Sequence, residues 1–153
     1  MAISTLDNHQ RSVRNWLFFM VVLVGAMIVL GGATRLTNSG LSITEWAPIK
    51  GALPPLSHEA WLSEFQKYQQ IPEFMAEHSD MGMAGFKKIY FWEWSHRQLG
   101  RFIGLAYALP FFYFLFRRRL PQGQTLKFFG IMLLIGIQGG IGWWMVASGL
   151  VNI

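Results

Sequence analysis

The chain has 153 residues, of which 52% are hydrophobic and only 14% charged, with a mean hydropathy of +0.31 and a formal charge of +5. Soluble domains carry charge on about 25% of positions, so this balance points to an integral membrane protein. The absence of cysteine excludes disulfides, thiolate metal sites and cysteine nucleophiles. Basic residues cluster beside apolar runs without forming the extended face that nucleic acid requires, and no nucleic-acid partner is expected.

In chain order, the uncharged stretch between Arg14 and Arg35 predicts a first membrane span over about 15–34, long enough for a hydrocarbon core of about 30 Å. No A-x-A site follows it, and its apolar run is too long for a signal peptide. A connection over 35–90 comes next. Pro48, Pro54, Pro55, Gly40 and Gly51 impose turns over Asn38–Leu56. Ser57 is placed to N-cap a helix over His58–Gln70, with Trp61, Leu62, Phe65 and Tyr68 on one side and Pro72 ending it. Such a helix lies on the membrane surface or covers the bundle.

The second span is drawn by length. Between Arg101 and Arg117 the uncharged run would reach only about 22 Å as a helix. Extending it back predicts a span over about 95–116 and brings His96, Arg97 and Arg101 into the outer part of the membrane. A third span is predicted over about 127–148. Arg11, Arg14, Arg117, Arg118, Arg119 and Lys127 then share one side, the cytoplasmic one, with the N-terminus inside and the 35–90 loop outside. The expected architecture is an all-α integral membrane protein forming a single membrane domain over 1–153. The eight methionines are read as lipid-facing filler, and His9, His58 and His78 as solvated.

Ionisable groups within a span are costly and mark function. Glu93 and His96 share a helix face at i,i+3. His96 reads either as an interfacial histidine bonded to Glu93 or a backbone carbonyl, or as an axial heme ligand. Gly100 and Gly104 lie below it and would admit either a neighbouring helix or a flat macrocycle. Arg97 and Arg101 either snorkel to headgroups or pair with porphyrin propionates. Gly136, Gly139, Gly140 and Gly142 read as packing glycines.

Three strings carry a family resemblance: Gly31-Gly32-Ala33-Thr34-Arg35 through Glu45-Trp46 with Pro48-Ile49-Lys50-Gly51; Lys88-Ile89-Tyr90-Phe91-Trp92-Glu93-Trp94-Ser95-His96-Arg97 through Arg101; and Gly139-Gly140-Ile141-Gly142-Trp143-Trp144 through Leu150. In these the chain resembles heme A synthase of the proteobacterial and mitochondrial type. The resemblance implies oxidation of the C8 methyl of heme O to a formyl group in a bacterial inner membrane, by a fold of two similar four-helix halves. It implies that His96 contacts the heme iron of the substrate side, that Glu93 acts in the oxidation, and that heme b belongs mainly to the other half. The chain ends before the fourth helix of that pattern, so it is expected to be the N-terminal part of such an enzyme. Expected partners are heme O and heme A, the lipid bilayer, heme O synthase, cytochrome oxidase assembly factors and a second copy of the chain. The alternative reading is a non-catalytic heme-binding or assembly subunit of a respiratory oxidase.

Overall fold

The computed structural model describes residues 2–45 and 50–149. Trp46, Pro48, Ile49 and Leu150 of the family strings lie outside the described residues, as does the side chain of His9. The described residues form α1 (Ala2–Leu36), a 3₁₀ turn (Lys50–Ala52), α2 (His58–Tyr68), α3 (Pro72–Glu77), α4 (Met83–Phe116) and α5 (Thr125–Gly149). Three of these, α1, α4 and α5, contain stretches long and apolar enough to cross a membrane. The three expected spans are therefore present, each inside a longer helix.

The extra length has a local cause. No proline interrupts Ala2–Leu36, so α1 begins well before its apolar part. Likewise α4 starts at Met83, twelve residues ahead of the expected boundary, because nothing between Met83 and His96 breaks the helix. The connection between the first two spans is correspondingly shortened to 37–82.

The end of α1 is a Schellman motif: Ser39 N bonds Thr34 O at 3.0 Å and Asn38 N bonds Arg35 O at 3.2 Å. Asn38 sits at φ 47°, a left-handed conformation that asparagine tolerates.

Pro72 does not end α2, which stops at Tyr68. It opens α3 instead, at the first-turn position where its missing N–H is no loss. Ser57 caps α2 as expected, its Oγ accepting from Ala60 N at 3.1 Å.

Internal contacts divide the chain into two units, one of Met1–Met27 with Leu99–Gly139 and one of Ile28–Gln98 with Gly140–Ile153. The first unit is built around Trp16. Its ring lies 5.0 Å from Tyr107, 5.5 Å from Phe114 and 5.9 Å from Phe128, within a cluster that also buries Val13, Met20, Ile103 and Phe111. Met20 is thus a core residue, contrary to the expectation for the methionines. Pro110 lies inside α4 and has no N–H for the carbonyl of Ala106 four residues back. Trp16 Nε1 donates to that carbonyl at 2.9 Å, so an indole replaces the bond the proline cannot make. Tyr107 Oη donates to Phe128 O at 2.9 Å and ties α4 to α5.

Phe114, Leu115 and residues 118–119 close α4 with a second Schellman motif. Arg119 N bonds Phe114 O at 2.8 Å and Arg118 N bonds Leu115 O at 3.0 Å. Arg118 has φ 51°, at the position where glycine is the usual occupant, and the left-handed conformation costs a side-chain-bearing residue roughly 1–2 kcal/mol.

The second unit holds an aromatic core of Trp61, Tyr68, Phe74, Phe86, Ile89 and Tyr90 with Ile43 and Ile71. Trp61, Phe65 and Tyr68 at i, i+4, i+7 carry α2 onto the N-terminal part of α4, while Leu62 stays exposed. The aromatic helix therefore covers α4. Lys67 closes this unit's loop with salt bridges to Glu45 (2.8 Å) and Glu64 (2.9 Å), whose hydrogen bonds raise its ammonium pKa. Tyr68 is fully buried, its Oη 2.7 Å from His78 Nδ1, so His78 is half-buried and bonded where solvation was expected. Burial pushes the Tyr68 phenol pKa up.

Candidate functional site

Glu93, His96 and Arg97 occupy two successive turns of α4 within the second unit. Glu93 is 3% exposed, and all of its acceptor directions are used. Arg97 donates to Oε1 through Nε at 2.9 Å and Nη2 at 2.5 Å, a bidentate pair at i,i+4. Ser42 Oγ and Ile43 N donate to Oε2 at 2.7 and 2.8 Å. Burying a carboxylate costs several kcal/mol unless it is paired and hydrogen-bonded, and here both conditions are met.

Arg97 reaches further. Its Nη2 also donates to Ile43 O at 2.8 Å and its Nη1 to Glu45 O at 3.0 Å. One guanidinium therefore holds the carboxylate on α4 and the backbone of 43–45 together, using the planar fork that distinguishes arginine from lysine. Next along the helix, Gln98 Nε2 donates to Ala52 O. The segment that follows α1 is fastened to α4 at both ends of this stretch.

His96 is not bonded to Glu93. No hydrogen bond reaches its ring among the described residues. Its ring rests on Gly31 of α1: a Cβ at that position would lie 3.2 Å from Nε2 and 3.7 Å from Cδ2. The ring takes the room that a side chain at position 31 would need, so any larger residue there would push it aside. Gly100 and Gly104 are the glycines expected to admit a neighbouring helix or a flat macrocycle. Those two belong to the first unit, where Gly100 abuts Met27 Cε at 3.3 Å and Gly104 faces open space. Arg101 belongs to that unit too and is half-buried.

Within the second unit, α5 brings Gly149 against Leu41, at 3.1 Å from a Cβ placed there. At Gly136, Gly139, Gly140 and Gly142 a Cβ would meet nothing within 4 Å, so nothing in the described residues packs on those glycines. Trp143 and Trp144 are exposed, as expected of an aromatic belt. Trp94 Nε1 is a buried donor with no acceptor among the described residues.

Sequence reasoning had Glu93 and His96 but missed Ser42, the Ile43 amide and the bond between Glu93 and Arg97. The last was legible, since a glutamate four residues ahead of an arginine is the favourable helical orientation. Ser42 and Ile43 come from some fifty positions away and leave no local trace.

Residues 14–152 match the model of a family described as Cytochrome oxidase assembly protein. Among similar proteins, the Heme A synthase of Beijerinckia indica subsp. indica is 61% identical over 140 residues, covering 92% of this chain and 39% of that protein. The Heme A synthase of Paracoccus denitrificans is 57% identical over 139 residues (91% and 36%), and that of Caulobacter vibrioides 52% over 144 residues (94% and 42%). The chain thus spans well under half the length of these relatives. No solved structure matches it.

Proposed function

The chain belongs to the Cytochrome oxidase assembly protein family, and from that membership we propose that it serves heme A biosynthesis, holding heme O while its C8 methyl group is oxidised to a formyl group. It is a multi-pass membrane protein with three apolar helices. The proposal sets it in a bacterial inner membrane, N-terminus in the cytoplasm, on the distribution of its short-loop arginines. Heme O synthase and oxidase assembly factors are its proposed protein partners.

One observation carries the reading: the His96 ring has no hydrogen-bond partner among the described residues and faces the bare backbone of Gly31. A histidine kept only for structure would bond its ring nitrogens to nearby acceptors. A histidine kept as a ligand needs a ring nitrogen not taken up by another protein group, and the unbonded ring of His96 suits the iron of a bound heme. The heme substrate supplies the methyl group and the iron; the acceptor of the four electrons and the source of the formyl oxygen lie outside these residues, whose part is to hold the heme and take up a proton.

His96 offers a neutral imidazole nitrogen. Gly31, having no side chain, lets that ring lie close against α1. Arg97 fixes Glu93 and the 43–45 backbone, and in this proposal holds the carboxylate in preference to binding propionates. Arg101 keeps its proposed role toward propionates or headgroups on sequence grounds alone. Glu93 is the carboxylate one turn from His96 that accepts a proton as the methyl is oxidised. Such a proton on Oε2 would displace the Ser42 hydroxyl, which already has a second acceptor, Ser39 O, within 3.1 Å. The serine can follow the proton without leaving its own hydrogen unbonded.

The test is made in membranes of a host that produces heme O, lacks its own heme A synthase and expresses this gene. Extracted pigment should contain heme A or heme O hydroxylated at the methyl carbon. Heme O bound but unoxidised would overturn the enzymatic reading in favour of a carrier.

A further inference from the structure

The first unit ends in a collar of cations. Trp16 of α1 packs on both Phe114 of α4 and Phe128 of α5, so the three helices are level at that point. Arg14 lies two residues before Trp16, with Arg11 a turn earlier. Arg117, Arg118 and Arg119 follow Phe114 within five residues, and Lys127 adjoins Phe128. Of the chain's eight acidic residues, Asp7 alone belongs to this unit. The collar's cations on α4 and α5 therefore have no acidic residue on either of those helices within this unit.

Two further features say what it faces. The collar borders apolar surface directly: Phe116 is 79% and Leu126 80% exposed, beside Arg117 and Lys127. Cations in a row above lipid-facing side chains sit where phosphodiester headgroups lie. The second feature is Arg118 itself. It occupies the left-handed position of the Schellman motif, where glycine would relax the backbone. Strain retained at a residue with an exposed guanidinium fits a use for that side chain. Arg119, by contrast, is already directed to Tyr113 Oη at 2.8 Å.

We propose that this collar is a binding site for the phosphate headgroups of anionic phospholipids, with Arg118 as one of its principal contacts. Guanidinium groups meet phosphate oxygens through paired N–H donors. The adjoining apolar side chains accommodate the acyl chains, which is why a lipid, and not free phosphate, is the fitting ligand. This site is separate from His96 and does not depend on the heme reading.

The experiment purifies the protein in mild detergent from a bacterial host whose membrane holds phosphatidylethanolamine and phosphatidylglycerol. Retained lipid is extracted and quantified by mass spectrometry. Phosphatidylglycerol should be enriched over its share of the host membrane, and the enrichment should vanish in R117Q/R118Q/R119Q. Loss of one cation should weaken retention by about fivefold. Arg118→Gly is the decisive variant: it should show that loss while keeping wild-type helical content and a melting temperature equal to or above wild type. A wash with inorganic phosphate should leave the lipid bound. Equal retention of both lipids, unchanged enrichment in R118G, or displacement by phosphate would each overturn the proposal.

Discussion

Replacing Arg97 with alanine leaves the Glu93 carboxylate buried at 3% exposure with only Ser42 and Ile43 to answer it. It also strips the carbonyls of Ile43 and Glu45 of their donor. Removing one partner of a buried ion pair costs about 3–5 kcal/mol, because the remaining charge stays desolvated. The two carbonyls add little, since hydrogen bonds to neutral groups that can rehydrate are worth about 0.5–1.5 kcal/mol each. At about 2–4 °C per kcal/mol for a chain of this size, the apparent melting temperature in detergent should fall by roughly 10 °C. Arg97→Lys keeps the charge but not the fork and should cost less. The sharper check is the double variant E93L/R97M, which removes both charges and keeps the volume. It should be more stable than R97A, because no uncompensated carboxylate remains. If R97A melts within a degree or two of wild type, or if the double variant is the less stable, the clamp does not carry the energy assigned to it.

Substitutions at three other positions probe separate parts of the structure. Gly31→Val should leave helical content unchanged but reduce heme retention more than Gly31→Ala, because even a Cβ meets His96 Nε2 at 3.2 Å; equal retention in both would remove Gly31 from the site. Ser57→Ala deletes the α2 cap and should cost about 1 kcal/mol, read as lower thermal stability. Tyr68 has its pKa raised by burial, so its contribution is complete below the unfolded phenol value of about 10 and is lost as pH rises beyond it. An alkaline melting series should show that decline in wild type and less of it in Tyr68→Phe, which should itself be about 1 kcal/mol less stable at neutral pH through loss of the bond to His78.

The spans were legible because a charge-free run of sufficient length has few alternatives to crossing a bilayer. Their helical ends were not, since hydropathy measures the apolar portion and says nothing of where an unbroken helix stops. Pro72 shows the same limit: a proline after a helical pattern can end one helix or begin the next, and only the placement of Ile71 and Phe74 in the aromatic core decides it. At the site, Glu93 and His96 stood out because charge in a span is expensive. Ser42 and the Ile43 amide did not, being ordinary loop groups made specific only by the path of the chain back to α4. Gly31 was visible as part of a motif, but its contact with His96 depends on how α1 and α4 lie together in the second unit. The replacement of the Pro110-orphaned hydrogen bond by Trp16 was equally invisible, since the two are almost a hundred residues apart.

The measurement that bears most directly on the function is the absorption spectrum of the protein purified from membranes supplied with heme O, for wild type beside His96→Leu. Wild type should carry a Soret band and yield heme O or its oxidised product on extraction. His96→Leu should keep its helical content and lose the band. A His96→Leu protein that retains the same heme with an unchanged spectrum would contradict the assignment of His96 to the iron, and with it the site proposed around Gly31 and Glu93.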